Sequence, residues 1–186
     1  PAVLILATGY LLGGAIGDRL FKKDKRGRTW VASVAVLCGA ILLTLTMIVP
    51  LENTLMFGIF LAMTAIFIPM ASPNMISSVY DITLPEVRSS ALSIQYCIES
   101  AGAALAPLIA GRIADQYSLG TAILGICVMA WVICAILFFT VGKYIPEDIR
   151  TLRQQLAERA AMGKANETVG MNSAEAKGKI LLEGGE

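Results

Sequence analysis

One acidic residue stands well inside an apolar stretch of this sequence. Glu99 lies about ten residues from each end of the apolar segment 90–111. A carboxylate at that depth in a membrane costs roughly 2.5–3.5 kcal/mol on insertion scales, so it should face a cavity or a partner. Gln95 and Tyr96 precede it by about one helical turn and extend the polar stripe. We expect these three side chains to bind a substrate or a coupling ion; a hydrogen-bonded strut between helices is the alternative.

Two prolines interrupt another apolar segment, 55–79. Pro69 and Pro73 each remove a backbone donor and push against the carbonyl four residues back, so the helix should bend there and expose unpaired carbonyls. Asn74 follows directly and is a fourth candidate for substrate or ion binding. Broken helices often line transport paths, although prolines are also ordinary in membrane helices.

A run of charged residues follows the first apolar segment. Asp18 comes first, and six of the fifteen lysines and arginines then fall within 17–29. Gly9, Gly13 and Gly17 recur every four residues ahead of it, which favours close helix packing, either within the chain or in a dimer. On charge alone, the basic run is typical of a cytoplasmic anchor.

No catalytic constellation is visible in the sequence. It has no histidine, no closely spaced pair of carboxylates with a nucleophile, and no glycine loop for phosphate. The four cysteines lie in apolar runs without metal-ligand spacing, which is typical of small buried residues: Cys38, Cys97, Cys127 and Cys134. We therefore expect no enzyme, cofactor, metal site or nucleic-acid partner.

The composition of the chain indicates the surroundings of these residues. Apolar residues make up 56% of the 186 and charged residues 16%, which is typical of a membrane protein. Five apolar segments are long enough to be bilayer-spanning helices, the first of them cut short: 1–16, 30–49, 55–79, 90–111 and 119–142. The sequence thus predicts an all-α, polytopic membrane helix bundle over 1–143. Since the chain starts inside an apolar run, we expect a piece of a longer protein.

The distribution of basic residues predicts the topology. Lysine and arginine are concentrated in 17–29 and in the tail from Lys143 onward, and Arg88 lies in 80–89. Cytoplasmic loops collect such residues, so these segments should face the cytoplasm and 50–54 and 112–118 the outside. Residues 144–186 form the predicted cytoplasmic tail, with an amphipathic helix over 146–162 and a mobile end.

Two stretches resemble the major facilitator superfamily. GAIGDRLFKKDKRGR, residues 14–28, is similar to the family's cytoplasmic loop signature, with extra residues between Asp18-Arg19 and the final basic pair. LPEVRSSALSIQYCIESAGAALAPLIAGRIAD, residues 84–115, resembles the tenth-to-eleventh helix region, nearest the Spinster-like and related prokaryotic branches. The resemblance implies that one set of loop residues controls a conformational switch: Gly14, Asp18, Arg19, Arg26, Arg28 and Arg88.

The resemblance further implies a partial major-facilitator-type fold. The third segment lacks an arginine often found in the family's fourth helix, and no apolar run follows the last span, so helices 8–12 of 12, in the C-terminal half, are favoured. The implied function is secondary active transport of a small organic solute or ion by alternating access, at the cell (inner) membrane. The implied partners are the lipid bilayer, the substrate, a coupling proton or cation, and the missing N-terminal half. A non-transporting sensor or scaffold on the same fold is the alternative.

Overall fold

The computed structural model describes residues 2–50 and 52–183, with side chains for 3–50, 52–164 and 166. Within these ranges the backbone forms α-helices and two short 3-10 segments, and no strand. The elements in chain order are α1 (Ala2–Lys23), α2 (Gly27–Ile48), α3 (Thr54–Phe67), a 3-10 turn (Ile68–Met70), α4 (Ala71–Ile82), a 3-10 turn (Pro85–Val87), α5 (Arg88–Gln116), α6 (Leu119–Val141) and α7 (Ile145–Glu183).

Five of the helical stretches are long and apolar enough to cross a membrane. They are Val3–Lys23, Gly27–Ile48, Thr54–Ile82, Pro85–Gln116 and Leu119–Val141, with α3 and α4 together making the third. This confirms the predicted all-α membrane bundle of five apolar helices. The described residues fall into two compact units that divide between Pro146 and Glu147.

The helices run further than the apolar segments that predicted them. α1 continues through Lys22 and Lys23, so the predicted loop 17–29 shrinks to the three-residue connector Asp24–Arg26. Lysine is a good helix former, and cations at a helix C-terminus complement the helix dipole, which explains the extension. α5 likewise begins at Arg88 and ends at Gln116, beyond both ends of 90–111.

The third span changes its hydrogen-bonding pattern in the middle. α3 ends at Phe67, Pro69 is buried within the 3-10 turn, and Pro73 stands in the first turn of α4. A proline is tolerated in a first turn because the amide there needs no acceptor within the helix. The two prolines thus lie where one helix gives way to the next.

The glycine stripe of α1 packs against this interrupted span. A Cβ atom on Gly13 would lie 2.5 Å from the Cα of Met70, while Gly9 abuts the carbonyl of Ile66. Gly17 abuts the side-chain amide of Asn74. The stripe therefore serves close packing within the chain, which is one of the two alternatives predicted for it.

α2 lies at the centre of the first unit. It packs most extensively on α6 and also contacts α1, α3 and α4. The Ser33 hydroxyl donates to the carbonyl of Ala135 at 2.7 Å, and the rings of Trp30 and Phe139 stack with centroids 6.3 Å apart. α5 differs, since it packs on α6 and α4 and none of its residues is buried among the described residues.

α7 is longer than the amphipathic helix predicted over 146–162. It extends to Glu183, because the residues after Gly163 include several strong helix formers such as alanine and glutamate. Two acids, Glu147 and Asp148, occupy its first turn, next to the positive end of the helix dipole. The mobility expected for 163–186 stays a prediction, and 184–186 lie outside the described residues.

Candidate functional site

An arginine joins three helices at the end of the bundle where the basic residues are concentrated. Arg28, in the first turn of α2, donates from Nε and Nη2 to Oδ1 of Asp18 on α1, at 3.2 and 2.7 Å. Its Nη1 donates to Oδ2 of Asp81 on α4. We call Asp18, Arg28 and Asp81 the ion triad.

The members of the ion triad differ in exposure. The side chain of Arg28 is 16% exposed and that of Asp81 23%, whereas Asp18 is 59% exposed. Phe21 covers the guanidinium, with its ring centroid 4.2 Å from Cζ, and so shields the arginine from solvent. A planar guanidinium that donates several hydrogen bonds and also stacks on a ring is particular to arginine, so a lysine at position 28 could not make the same contacts.

The tight turn between α1 and α2 brings Asp18 and Arg28 together. Oδ1 of Asp24 accepts the backbone amide of Arg26 at 2.9 Å, a local bond that favours chain reversal. Gly27 allows α2 to start against α1, because a Cβ there would lie 2.5 Å from the carbonyl carbon of Leu20. The extra residues of the loop thus extend α1 and form the turn.

The structure brings together only part of the predicted switch set. Arg88 donates to the carbonyl of Tyr80 at 3.1 Å and lies over its ring, tying α5 to α4. Arg19 is exposed, Arg26 is half-buried in the connector, and Gly14 is half-buried near Pro73. None of these three contributes to the ion triad.

Sequence reasoning missed Asp81. The signal was present, because Asp81 lies two residues beyond the apolar segment 55–79, at the membrane end where the basic residues gather. Asp18, a member of the predicted switch set, pairs with Arg28 on the next helix of the same unit.

Three of the four predicted binding residues share a stretch of α5. Glu99 and Tyr96 are exposed, and Gln95 is half-buried with an Oε1 that has no hydrogen-bond partner among the described residues. α5 therefore presents a carboxylate, a phenol and an amide within about one turn. We call Gln95, Tyr96 and Glu99 the α5 polar face.

Asn74 lies elsewhere and is engaged in helix packing. It is 2% exposed, and its Nδ2 donates to the carbonyls of Gly13 and Met70 at 2.9 and 2.8 Å. It also lines, with Thr29 and Ser78, a mainly apolar cavity of about 200 Å³. Its role in substrate binding stays a prediction. The hydrogen bond to Gly13 shows that Asn74 links the third span to α1.

The two groups of residues suit different tasks. The ion triad fixes the ends of α1, α2 and α4, and separating them would leave opposite charges partly desolvated, so it stabilises one arrangement of these helices. On the α5 polar face, Tyr96 and Glu99 are exposed and offer a phenol and an acid to a ligand or a partner, while Oε1 of Gln95 is buried and has no hydrogen-bond partner among the described residues.

A comparison with known families agrees with this architecture. The sequence model of the Major Facilitator Superfamily matches residues 2–176, which is most of the chain. The match covers the five apolar helices together with the ion triad and the α5 polar face. The chain therefore belongs to the major facilitator superfamily, whose members are membrane transporters of small solutes.

Proposed function

We propose that the chain forms helices 8–12 of a secondary active transporter that moves a small organic solute or ion by alternating access. In this mechanism two helix bundles rock about a site near the membrane midplane. The missing N-terminal half would supply the other wall of the path. We further propose a cell-membrane location with the α7 tail in the cytoplasm, on the basis of the basic residues near Asp24–Arg26 and after Lys143.

The exposure of the α5 polar face carries this proposal. α5 has an acid, Glu99, near its middle and no buried residue among the described ones. Acids inside membrane spans face a bundle interior or a water-filled cavity, because exposure to lipid is costly. The side of α5 that carries Glu99 thus borders the solute path, where Glu99 binds the substrate or a coupling proton or cation, with Gln95 and Tyr96 beside it.

The ion triad would set which conformation dominates. A ligand can shift an equilibrium between two states only if its free energy of interaction differs between them. Contacts that form in one state alone bias the same equilibrium. We propose that Asp18 leaves Arg28 in part of the transport cycle, because Asp18 is the more exposed of the two acids.

Uptake by a Glu99→Gln variant of the intact protein tests this function. Glutamine keeps the shape of glutamate but cannot titrate. A coupling site should lose concentrative uptake and its pH dependence, while a substrate site should lose affinity for a cationic or hydrogen-bonding solute. The matched control is Glu52→Gln, which changes an exposed acid between α2 and α3 and should transport normally.

Two results would contradict the proposal. Wild-type uptake by the Glu99→Gln protein at every pH tested would leave Glu99 as a structural strut. Absence of saturable flux in the unmodified protein, across a broad panel of solutes, would favour the sensor or scaffold alternative.

A further inference from the structure

The outer surface of the first unit has an apolar groove next to the connector between α1 and α2. The groove has a volume of about 340 Å³, within the ~300–1,000 Å³ range of small-molecule sites. Ile16 and Leu20 of α1 form one wall and Trp30 and Val34 of α2 the other. Phe67 and Met70 line it from the third span. We call this space the Trp30 groove.

The walls of the Trp30 groove are exposed among the described residues. Val34 is 59% exposed and Trp30 42%, and Ile16 and Leu20 are exposed as well. Trp30 is in the first turn of α2, close to the charged connector, and tryptophan is enriched at the membrane–water boundary. The groove therefore starts at the boundary and runs into the hydrocarbon layer.

Cations stand at the boundary end of the groove. Lys23 follows Leu20 by three residues on α1 and so lies on the same helix face one turn further out. Arg26 precedes Trp30 by four residues, and its side chain is half-buried. Asp24 is the acid of the connector, and its Oδ1 is engaged by the Arg26 amide. By helix register, Lys23 and Arg26 thus continue the two groove-lining faces toward the connector, which also carries Asp24 and Lys25, whose Nζ lies over the Phe21 ring.

We propose that the Trp30 groove binds an anionic phospholipid of the adjacent leaflet, with an acyl chain in the groove and its phosphate headgroup between Lys23 and Arg26. Any lipid tail can fill an apolar groove, because tails are as apolar as the side chains that line it. Selectivity must therefore come from the headgroup. Basic residues near a membrane surface attract anionic lipids, and the pairing of this cation cluster with a groove supplies both halves of a lipid site.

Tryptophan quenching in the intact, reconstituted protein tests the proposal. Trace amounts of brominated phosphatidylglycerol or brominated phosphatidylcholine are added to phosphatidylcholine bilayers, and the emission of a Trp30→Phe variant is subtracted to isolate Trp30. We expect phosphatidylglycerol to quench Trp30 at a lower mole fraction. Lys23→Gln and Arg26→Gln should each reduce this preference roughly fivefold.

The matched control is Lys22→Gln. Lys22 is exposed and carries the same charge, but it lies two positions from Leu20, about 200° round the helix and away from the groove. This variant should keep the preference. Circular dichroism of each reconstituted variant reports that it is folded.

Three results would overturn the proposal. Equal quenching by the two lipids in the unmodified protein would show that the groove does not select anionic headgroups. An equal loss of preference in Lys22→Gln would assign it to the general surface potential. Lack of Trp30 quenching by either lipid would mean that protein, not lipid, covers the groove.

Discussion

At the scale of single residues, Arg28 is the side chain on which most of the described electrostatics depends. It pairs with Asp18 and Asp81 and is stacked on Phe21, so its charge is compensated in three ways. The two acids are not equivalent partners. Asp81 is 23% exposed and Asp18 59%, and solvent screens the more exposed pair more strongly.

This difference predicts unequal costs when either charge is removed. Asp81→Asn should lower stability by about 1.5–3 kcal/mol, the range for a hydrogen bond to a charged group. Asp18→Asn should cost less than about 1 kcal/mol, as for other exposed pairs. Thermal unfolding of the intact protein in detergent, followed by circular dichroism, measures both. A larger loss in Asp18→Asn would show that exposure does not rank these pairs.

At the scale of helices, the contact between α1 and the third span is defined by small residues. Gly9, Gly13 and Gly17 let the α1 backbone meet Ile66, Met70 and Asn74. Lipid supplies no hydrophobic drive for helix association, so this interface depends on close van der Waals contact and on the Asn74 hydrogen bonds. A methyl group added here has no free space.

Gly13→Ala tests this contact. The added Cβ would lie 2.5 Å from the Cα of Met70, and because backbone cannot rotate away, the helices must separate. We expect a loss of about 1–3 kcal/mol, the usual cost of overpacking. The control is Gly58→Ala, since no described atom lies within 4 Å of the Cβ it would add. Detergent thermal stability should fall in the first variant alone, and an equal fall in both would contradict the interface.

The sequence predicted the helices better than their partners. Length and hydropathy were enough for the five apolar helices, and the glycine stripe of α1 indicated a close contact. The partner of that stripe was not predictable, because helix pairing depends on packing between residues far apart in the chain. Asp81 was missed for the same reason, since 53 residues separate it from Arg28. The bond of Asn74 to Gly13 was not predictable for the same reason, and its role in substrate binding stays a prediction.

At the scale of the whole molecule, the distribution of charge predicts how the chain is oriented in the membrane. Glu52 and Asn53 lie beyond one end of α2, and the connector Asp24–Arg26 lies beyond the other. α2 has 22 residues, which at about 1.5 Å per residue is enough to span the hydrocarbon core. The two connectors should therefore face opposite sides.

Cysteine labelling measures this orientation. In a background without the native cysteines, Asn53→Cys should react with an impermeant reagent added outside, and Lys22→Cys only after the membrane is opened. The positive-inside rule is the physical reason. The two single variants control for each other, and labelling of both from the same side would contradict the five-span arrangement.

The hydrogen bond between Ser33 and Ala135 also constrains the order in which the helices can assemble during synthesis. Its two residues are 102 positions apart. At synthesis rates of about 5–20 residues per second, α2 leaves the ribosome roughly 5 to 20 s before the α6 residues that cover it. During that interval α1, α2 and the third span can already associate through neighbouring contacts, whereas the α2–α6 surface must wait. α6 therefore completes the packing around α2, and a ribosome stalled before Ala135 would hold a bundle whose central helix still lacks its principal partner.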